Sequence, residues 1–174
     1  MKKTRIGLFL VASASIFALL TASSCKKSNN NSSSSGMSAT VAGTAFNPIV
    51  VQGGFSQSAN EWFVGGYSVK SNDTSILEVG IFQFFPNQNP QFVVGKSFTT
   101  DTTSAYVDYF TNGFTNGKDY DASVGNGFAT FTVTSLDTSA HKIAGTFSGI
   151  LYASANDSIV VTNGNFNTSY TLQP

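Results

Sequence analysis

Residues 127–136, GFATFTVTSL, set Ala129, Phe131 and Val133 against Thr130, Thr132 and Thr134 in unbroken alternation. A period of two is the signature of a strand with one buried and one open face, and no helix can use it. The pattern recurs in KIAGTFSGILYA, where Ile143, Phe147 and Leu151 fall on the inward side. Its glycines Gly145 and Gly149 mark a close backbone approach or a bulge. DSIVVTNGNF reads as a shorter strand ending in a turn. Upstream, SATVAGTAF, EWFVGGYSVK, SILEVGIFQFF, QFVVGKSFT and SAYVDYFT are β-branched and aromatic runs bounded by Asn, Gly, Pro and Asp, the punctuation of strands. The total is about eight strands or slightly more. Asn-Gly pairs at 112–113, 116–117, 126–127 and 163–164 favour positive φ and mark tight turns or loop corners. No heptads and no helical stripe appear. The expected class is all-β, an antiparallel β-sandwich, with a small antiparallel β-barrel as the alternative. The sandwich is favoured because the stretch Ile81 to Phe85 is apolar on both faces, as though covered twice.

The first 24 residues are set aside from this fold. Lys2, Lys3 and Arg5 precede an apolar run from Ile6 to Leu20, followed by the small residues Ala22, Ser23 and Ser24; this is the layout of a secretory signal peptide. At about 15 residues, the run is short of the roughly 20 that cross a bilayer as a helix. Small residues before Cys25 resemble the lipobox of bacterial lipoproteins, with Ala22 standing where leucine is usual. The resemblance implies cleavage before Cys25 and acylation of that residue, anchoring the chain to a membrane. The plainer alternative is a signal peptide followed by a free, reactive thiol, which an exported protein has reason to avoid. Several acyl chains hold such an anchor in place, whereas one would be reversible. Cys25 is the only cysteine, so the domain has no disulfide and rests on its core.

Residues 25–36 are the lipidated cysteine and a Lys, Ser, Asn and Gly tether, too polar to repay its ordering entropy. Its r.m.s. reach is roughly 20 Å, with roughly 40 Å as the extended limit. Lysine rather than aspartate after the cysteine implies, in the same resemblance, an outer-membrane location within the cell envelope; periplasmic and surface faces both stay open. Residues 37–174 form one domain, long enough for a hydrophobic core. Five of the nine basic residues (Lys2, Lys3, Arg5, Lys26, Lys27) lie outside it and all nine acidic residues inside, a net of −5. That balance excludes nucleic acid as a partner, because phosphate-backbone affinity is built from clustered Lys and Arg.

The stretch GNGFATFTVTSLDTSAHKIAGTFSGILYASANDSIVVTNGNF, with the opening SATVAGTAFN, resembles a family of uncharacterised Bacteroidota lipoproteins. That family carries a strand ending T-x-l-D, then G-T-F-S-G, then v-T-N-G-x-F. The resemblance covers both ends of the domain and hardly touches residues 50–120. It implies a lipoprotein with an all-β domain and brings no activity with it.

Chemistry-bearing residues are sparse. His141, the only histidine, sits in a polar turn with no nucleophile or acid at a useful spacing. One histidine and no available thiol give zinc no support. Glu61 and Glu78 qualify by residue type as the facing carboxyls of a glycosidase, but NEWF and LEVG read equally as strand edges with the charge turned outward. Asp119 and Asp121, with Asn116 nearby, offer oxygens to calcium without an EF-hand spacing; an acidic, flexible loop is the simpler account. Of 16 Phe, 6 Tyr and 1 Trp, nearly all the phenylalanines belong to the core. Trp62, Tyr106, Tyr109 and Tyr120 are the candidate ligand-binding aromatics. Tyr106 and Tyr109, three apart, face opposite sides of a regular strand, which would leave one exposed for stacking on sugar. No catalytic residue and no cofactor is expected. The function expected is a non-enzymatic binding or adhesion module for polysaccharide or an envelope protein. The alternative is a carrier or sensor of a small apolar ligand on a β-barrel.

Overall fold

A computed structural model of the chain describes residues 36–56, 58, 61–70, 73–82, 94–100, 105–112, 117–123 and 125–174. Cys25, the signal peptide and nearly all of the tether lie outside the described residues. The fold is all-β. Its strands are β1 (Gly36–Val41), β2 (Thr44–Phe46), β3 (Val50–Ser56), β4 (Glu61–Lys70), β5 (Asp73–Phe82), β6 (Ser97–Thr99), β7 (Ala105–Phe110), β8 (Asp119–Ala122), β9 (Phe128–Asp137), β10 (Lys142–Ser154) and β11 (Asp157–Gln173).

All eleven belong to one sheet, in the order β2-β1-β11-β3-β4-β5-β7-β8-β10-β9-β6, with β10 and β11 also paired. The long β11 organises it. Asp157 to Ser169 pair with β10, the opposite edge of β11 takes β1, and Tyr170 to Gln173 continue onto β3. Likewise β10 lies along β9 and reaches β8 at Tyr152. Two half-sheets result, β3-β4-β5-β7-β8 and β1-β11-β10-β9, joined at β11 and at β10. They share one apolar interior: Val64, Leu77, Val79, Ile81 and Val107 from the first half pack in the same cluster as Phe131, Val133, Ile143, Leu151, Val161 and Phe166 from the second. This is the two-layer logic of a sandwich.

Four details depart from the sequence expectation. SATVAGTAF is a hairpin, because Ala42 and Gly43 both take positive φ (48° and 76°), the requirement of a two-residue I′ turn. Asn163 does not end a strand. Its φ of 53° opens a bulge where the register against β10 and β1 shifts, and β11 runs on; bulges use the left-handed conformation as readily as turns do. The sheet is mixed, since β11 and β3 are parallel. Glycine permits that approach: a Cβ on Gly53 would lie 3.0 Å from the Ser169 carbonyl oxygen. Finally, the acidic stretch around Tyr120 is strand β8, held by four cross-strand pairs with β7. Tertiary pairing there overrides the poor strand propensity of aspartate.

Strand β5 is covered twice. Leu77, Val79 and Ile81 point into the shared interior, while Ile76 on the other side is 2 % exposed. That second side holds the first of two organised polar regions.

Candidate functional site: an acid and tyrosine cluster and an outward hydroxyl face

Alternation along β4 puts Glu61, Phe63, Gly65 and Tyr67 on one face, away from the interior. Register brings Gly65 opposite Glu78, Glu78 opposite Asp108, and Asp108 opposite Asp121. Directly opposed residues of an antiparallel pair share a face, so four strands contribute carboxyls to one surface. Tyr106, two residues before Asp108, lies over Gly80 of β5. A Cβ on Gly80 would come within 2.5 Å of the tyrosine ring and 2.6 Å of the Trp62 carbonyl oxygen, so this place requires glycine.

The Tyr106 hydroxyl is 2.5 Å from Oε1 of Glu61 and 2.7 Å from Oε1 of Glu78. A phenol has one hydrogen to give. Both contacts are hydrogen bonds only when one carboxyl carries a proton and donates it to the phenol oxygen. The electrostatics agree. Burial pushes the Glu61 carboxyl up to about 7; the Tyr106 bond opposes this and the nearby Glu78 adds to it. Glu78 is raised by burial as well, and burial beside two acids raises Tyr106 well above the usual phenol range.

A second pair continues the row. Asp108, 4 % exposed, is pushed well above the usual carboxylate range by burial and by its neighbours Asp121, Asp119 and Glu78, and it bonds to Asp121. Asp121 Oδ2 accepts from Ser123 Oγ at 3.0 Å and Asn126 Nδ2 at 3.1 Å. Burial, then Asp121, lifts Asp119 to about 6. Asp108 Oδ1 and the Tyr67 hydroxyl are buried with no hydrogen-bond partner. Among the described residues, no three His, Cys, Asp or Glu side chains are grouped to hold a metal ion.

Glu61 and Glu78 therefore do not turn their charges outward, as the local sequence allows. They converge on one phenol. Their bonded oxygens are at most 5.2 Å apart, the two bond lengths laid end to end, near the spacing of a retaining glycosidase. The Tyr106 hydroxyl fills the gap, however, and Glu61 is 3 % exposed. This geometry holds protons.

The candidate aromatics do not gather. Tyr106 and Tyr109 do face opposite sides, yet neither is exposed. Tyr106 is 1 % exposed, and Tyr109 packs edge-on to Phe46 at 6.1 Å. Trp62 lies between Phe55 at 4.7 Å and Tyr170 at 4.9 Å. Tyr120 is buried and donates to Asp157 Oδ1 at 3.2 Å, beside the exposed ion pair of Lys118 and Asp157. Three of the four serve the interior face. His141 closes the turn between β9 and β10 and lies 5.2 Å from the Tyr170 ring.

The second polar region was not legible as a site. Ser97, Thr132, Thr146, Asn165 and Ser38 are successive cross-strand partners on β6, β9, β10, β11 and β1. One pleat repeat along, Thr99, Thr130 and Ser148 form a second rung, with Thr40 and Thr162 paired beyond the bulge. The triplets SFT, TFT, TFS and SAT are scattered through the chain, and the sheet sets them side by side. Hydrogen bonds tie the ends: Ser97 Oγ and Thr132 Oγ1 at 2.8 Å, and Asn165 Nδ2 to Ser38 Oγ at 2.8 Å. Thr146 and Ser148 in the middle are exposed. The bulge opens a groove of about 410 Å³ there, lined by Thr130, Thr132, Thr146, Ser148, Asn163 and Asn165 with Phe147 and Gly164 beneath. Beside it runs an apolar rung, Phe128, Ile150 and Val160, cross-strand neighbours that are 50 %, 42 % and 50 % exposed.

No family model, no curated protein and no solved structure matches the chain.

Proposed function

We propose that the protein is an outer-membrane lipoprotein, anchored through Cys25, whose folded domain is a non-enzymatic binding module for polysaccharide or another envelope protein. The observation that carries this reading is the outward hydroxyl and amide face with its open groove. The groove is open, closer to a surface channel than to an enclosed pocket. Its hydroxyls have no acid or base beside them in the lining to activate one as a nucleophile, and the carboxyls that converge among the described residues lie elsewhere, around Tyr106 and Asp108. The shared interior is occupied by apolar side chains, which favours recognition on the outside over an apolar ligand held within. The short tether keeps the domain within reach of the membrane.

The test is co-sedimentation of the full chain with a cell-envelope fraction, alongside labelled palmitate incorporation with and without Cys25→Ala. Saturable binding and Cys25-dependent labelling support the reading. Absence of binding together with hydrolytic turnover of an envelope component contradicts it.

A further inference from the structure

We infer that the ligand of this face is a neutral, extended polysaccharide lying across the strands, along the hydroxyl rungs. The inference rests on the binding-module reading and adds a ligand class and a direction. Three observations support it.

The first is chemistry. Every side chain lining the groove is uncharged, and hydroxyl and amide groups both donate and accept, as a polymer of hydroxyls requires. The domain's net charge of −5 repels polyanions at long range, so an acidic glycan is disfavoured. The second is spacing. Neighbouring rung residues are separated by the strand spacing of about 4.8 Å, close to the advance of one extended pyranose unit. The rung from Ser97 to Ser38 crosses five strands, about 19 Å, room for a short oligosaccharide. A chain laid across the strands would meet one polar group per unit. The third is amphipathy. A pyranose ring presents hydroxyls at its rim and C–H groups on its faces, and the apolar rung of Phe128, Ile150 and Val160 lies roughly 7 Å from the nearer hydroxyl rung, that of Thr99, Thr130 and Ser148. Exposed Phe128 is placed to stack on a ring while Thr130 and Ser148, on the adjacent rung, bond to its hydroxyls.

The experiment is calorimetric titration of the full chain in detergent with soluble neutral glucan, xylan and mannan, with alginate as the anionic control. The same titrations are made with Phe128→Ala and with Thr146→Val combined with Ser148→Ala. These positions are exposed, so both variants retain the fold, checked by circular dichroism. Binding of at least one neutral polymer is expected, weakened about tenfold or more in each variant through lost bonds or stacking, with alginate silent. Silence across the neutral panel, stronger binding of alginate, or neutral binding unchanged in both variants would overturn the inference. If the envelope fraction is still bound through Thr146 and Ser148 while the neutral panel is silent, the ligand class fails and the binding-module reading stands; if the envelope fraction is not bound at all, both fall.

Discussion

On β4, β5, β7 and β8, Glu61, Glu78, Tyr106, Asp108 and Asp121 share one face; on β6, β9, β10, β11 and β1, threonines, serines and asparagines share another. Both are polar ladders across successive strands, but the first contains ionisable groups and is buried, with Glu61 3 % and Asp108 4 % exposed, whereas the second is neutral and open at Thr146 and Ser148. A buried carboxyl avoids the cost of its charge by keeping a proton and a hydrogen bond, which ties it to neighbours and removes it from any ligand. An exposed hydroxyl is already solvated and can exchange water for a ligand at little cost. Shared geometry thus leads to opposite roles, and burial decides which face stabilises the fold and which is free to bind.

The strongest way to break this contrast is at Gly80. Gly80→Val forces a side chain into the Tyr106 ring and the Trp62 carbonyl, and a loss of about 3 kcal/mol or more is expected by urea denaturation. A loss under about 1 kcal/mol would mean that the acid cluster is not packed as described.

The next effect depends on pH. The Glu61 carboxyl is raised from 4.5 to about 7 in the folded protein, so the folded state holds more protons than the unfolded one between these values. Stability is therefore greatest below about pH 4.5 and is lost as pH rises through about 7. From this group alone the loss is about 3 kcal/mol. Glu78, Asp108 and Asp119 shift in the same direction. Glu61→Gln keeps an acceptor for Tyr106 and removes the charge, so it should stabilise the domain above pH 7 and leave it unchanged near pH 4. Equal effects at both pH values would contradict a proton held at this site.

Tyr106→Phe is expected to cost about 2 kcal/mol, since two buried carboxyls lose their common partner; thermal melts at pH 6 would measure it. Thr146→Val with Ser148→Ala, on the open face, should change stability by no more than about 0.5 kcal/mol while weakening ligand binding. A large destabilisation there would make that face structural too.

Much of the fold is legible in the sequence, for identifiable reasons. Strands β9 and β10 alternate cleanly because one face is core and the other open; of the doubly apolar stretch Ile81 to Phe85, residues 83–85 lie outside the described residues, and cover on both faces is seen at Ile76 and Leu77 of β5. Strand β3 is not marked by its sequence, since VVQGGFS places two glycines where propensity expects side chains, and those glycines let β11 and the Phe63 ring approach. Strand β8 reads as a loop because its aspartates are poor strand formers; their pairing with β7 appears only in three dimensions. Neither polar face could be read as a unit. Glu61, Glu78 and Tyr106 are 17 to 45 positions apart in the chain, and SAT, SFT, TFT and TFS look like ordinary surface triplets until the strand order aligns them. The exposed aromatic on the proposed binding face is Phe128, at the head of the most regular strand, where alternation already turned it outward.

The most direct test is co-sedimentation of the full chain with the envelope fraction, comparing wild type, Thr146→Val with Ser148→Ala, and Glu61→Gln with Glu78→Gln at one pH where all three are folded. Loss of binding in the first variant with binding unchanged in the second is the expected result. Binding that survives the hydroxyl substitutions and disappears with the glutamates would contradict the account and move function to the buried acids.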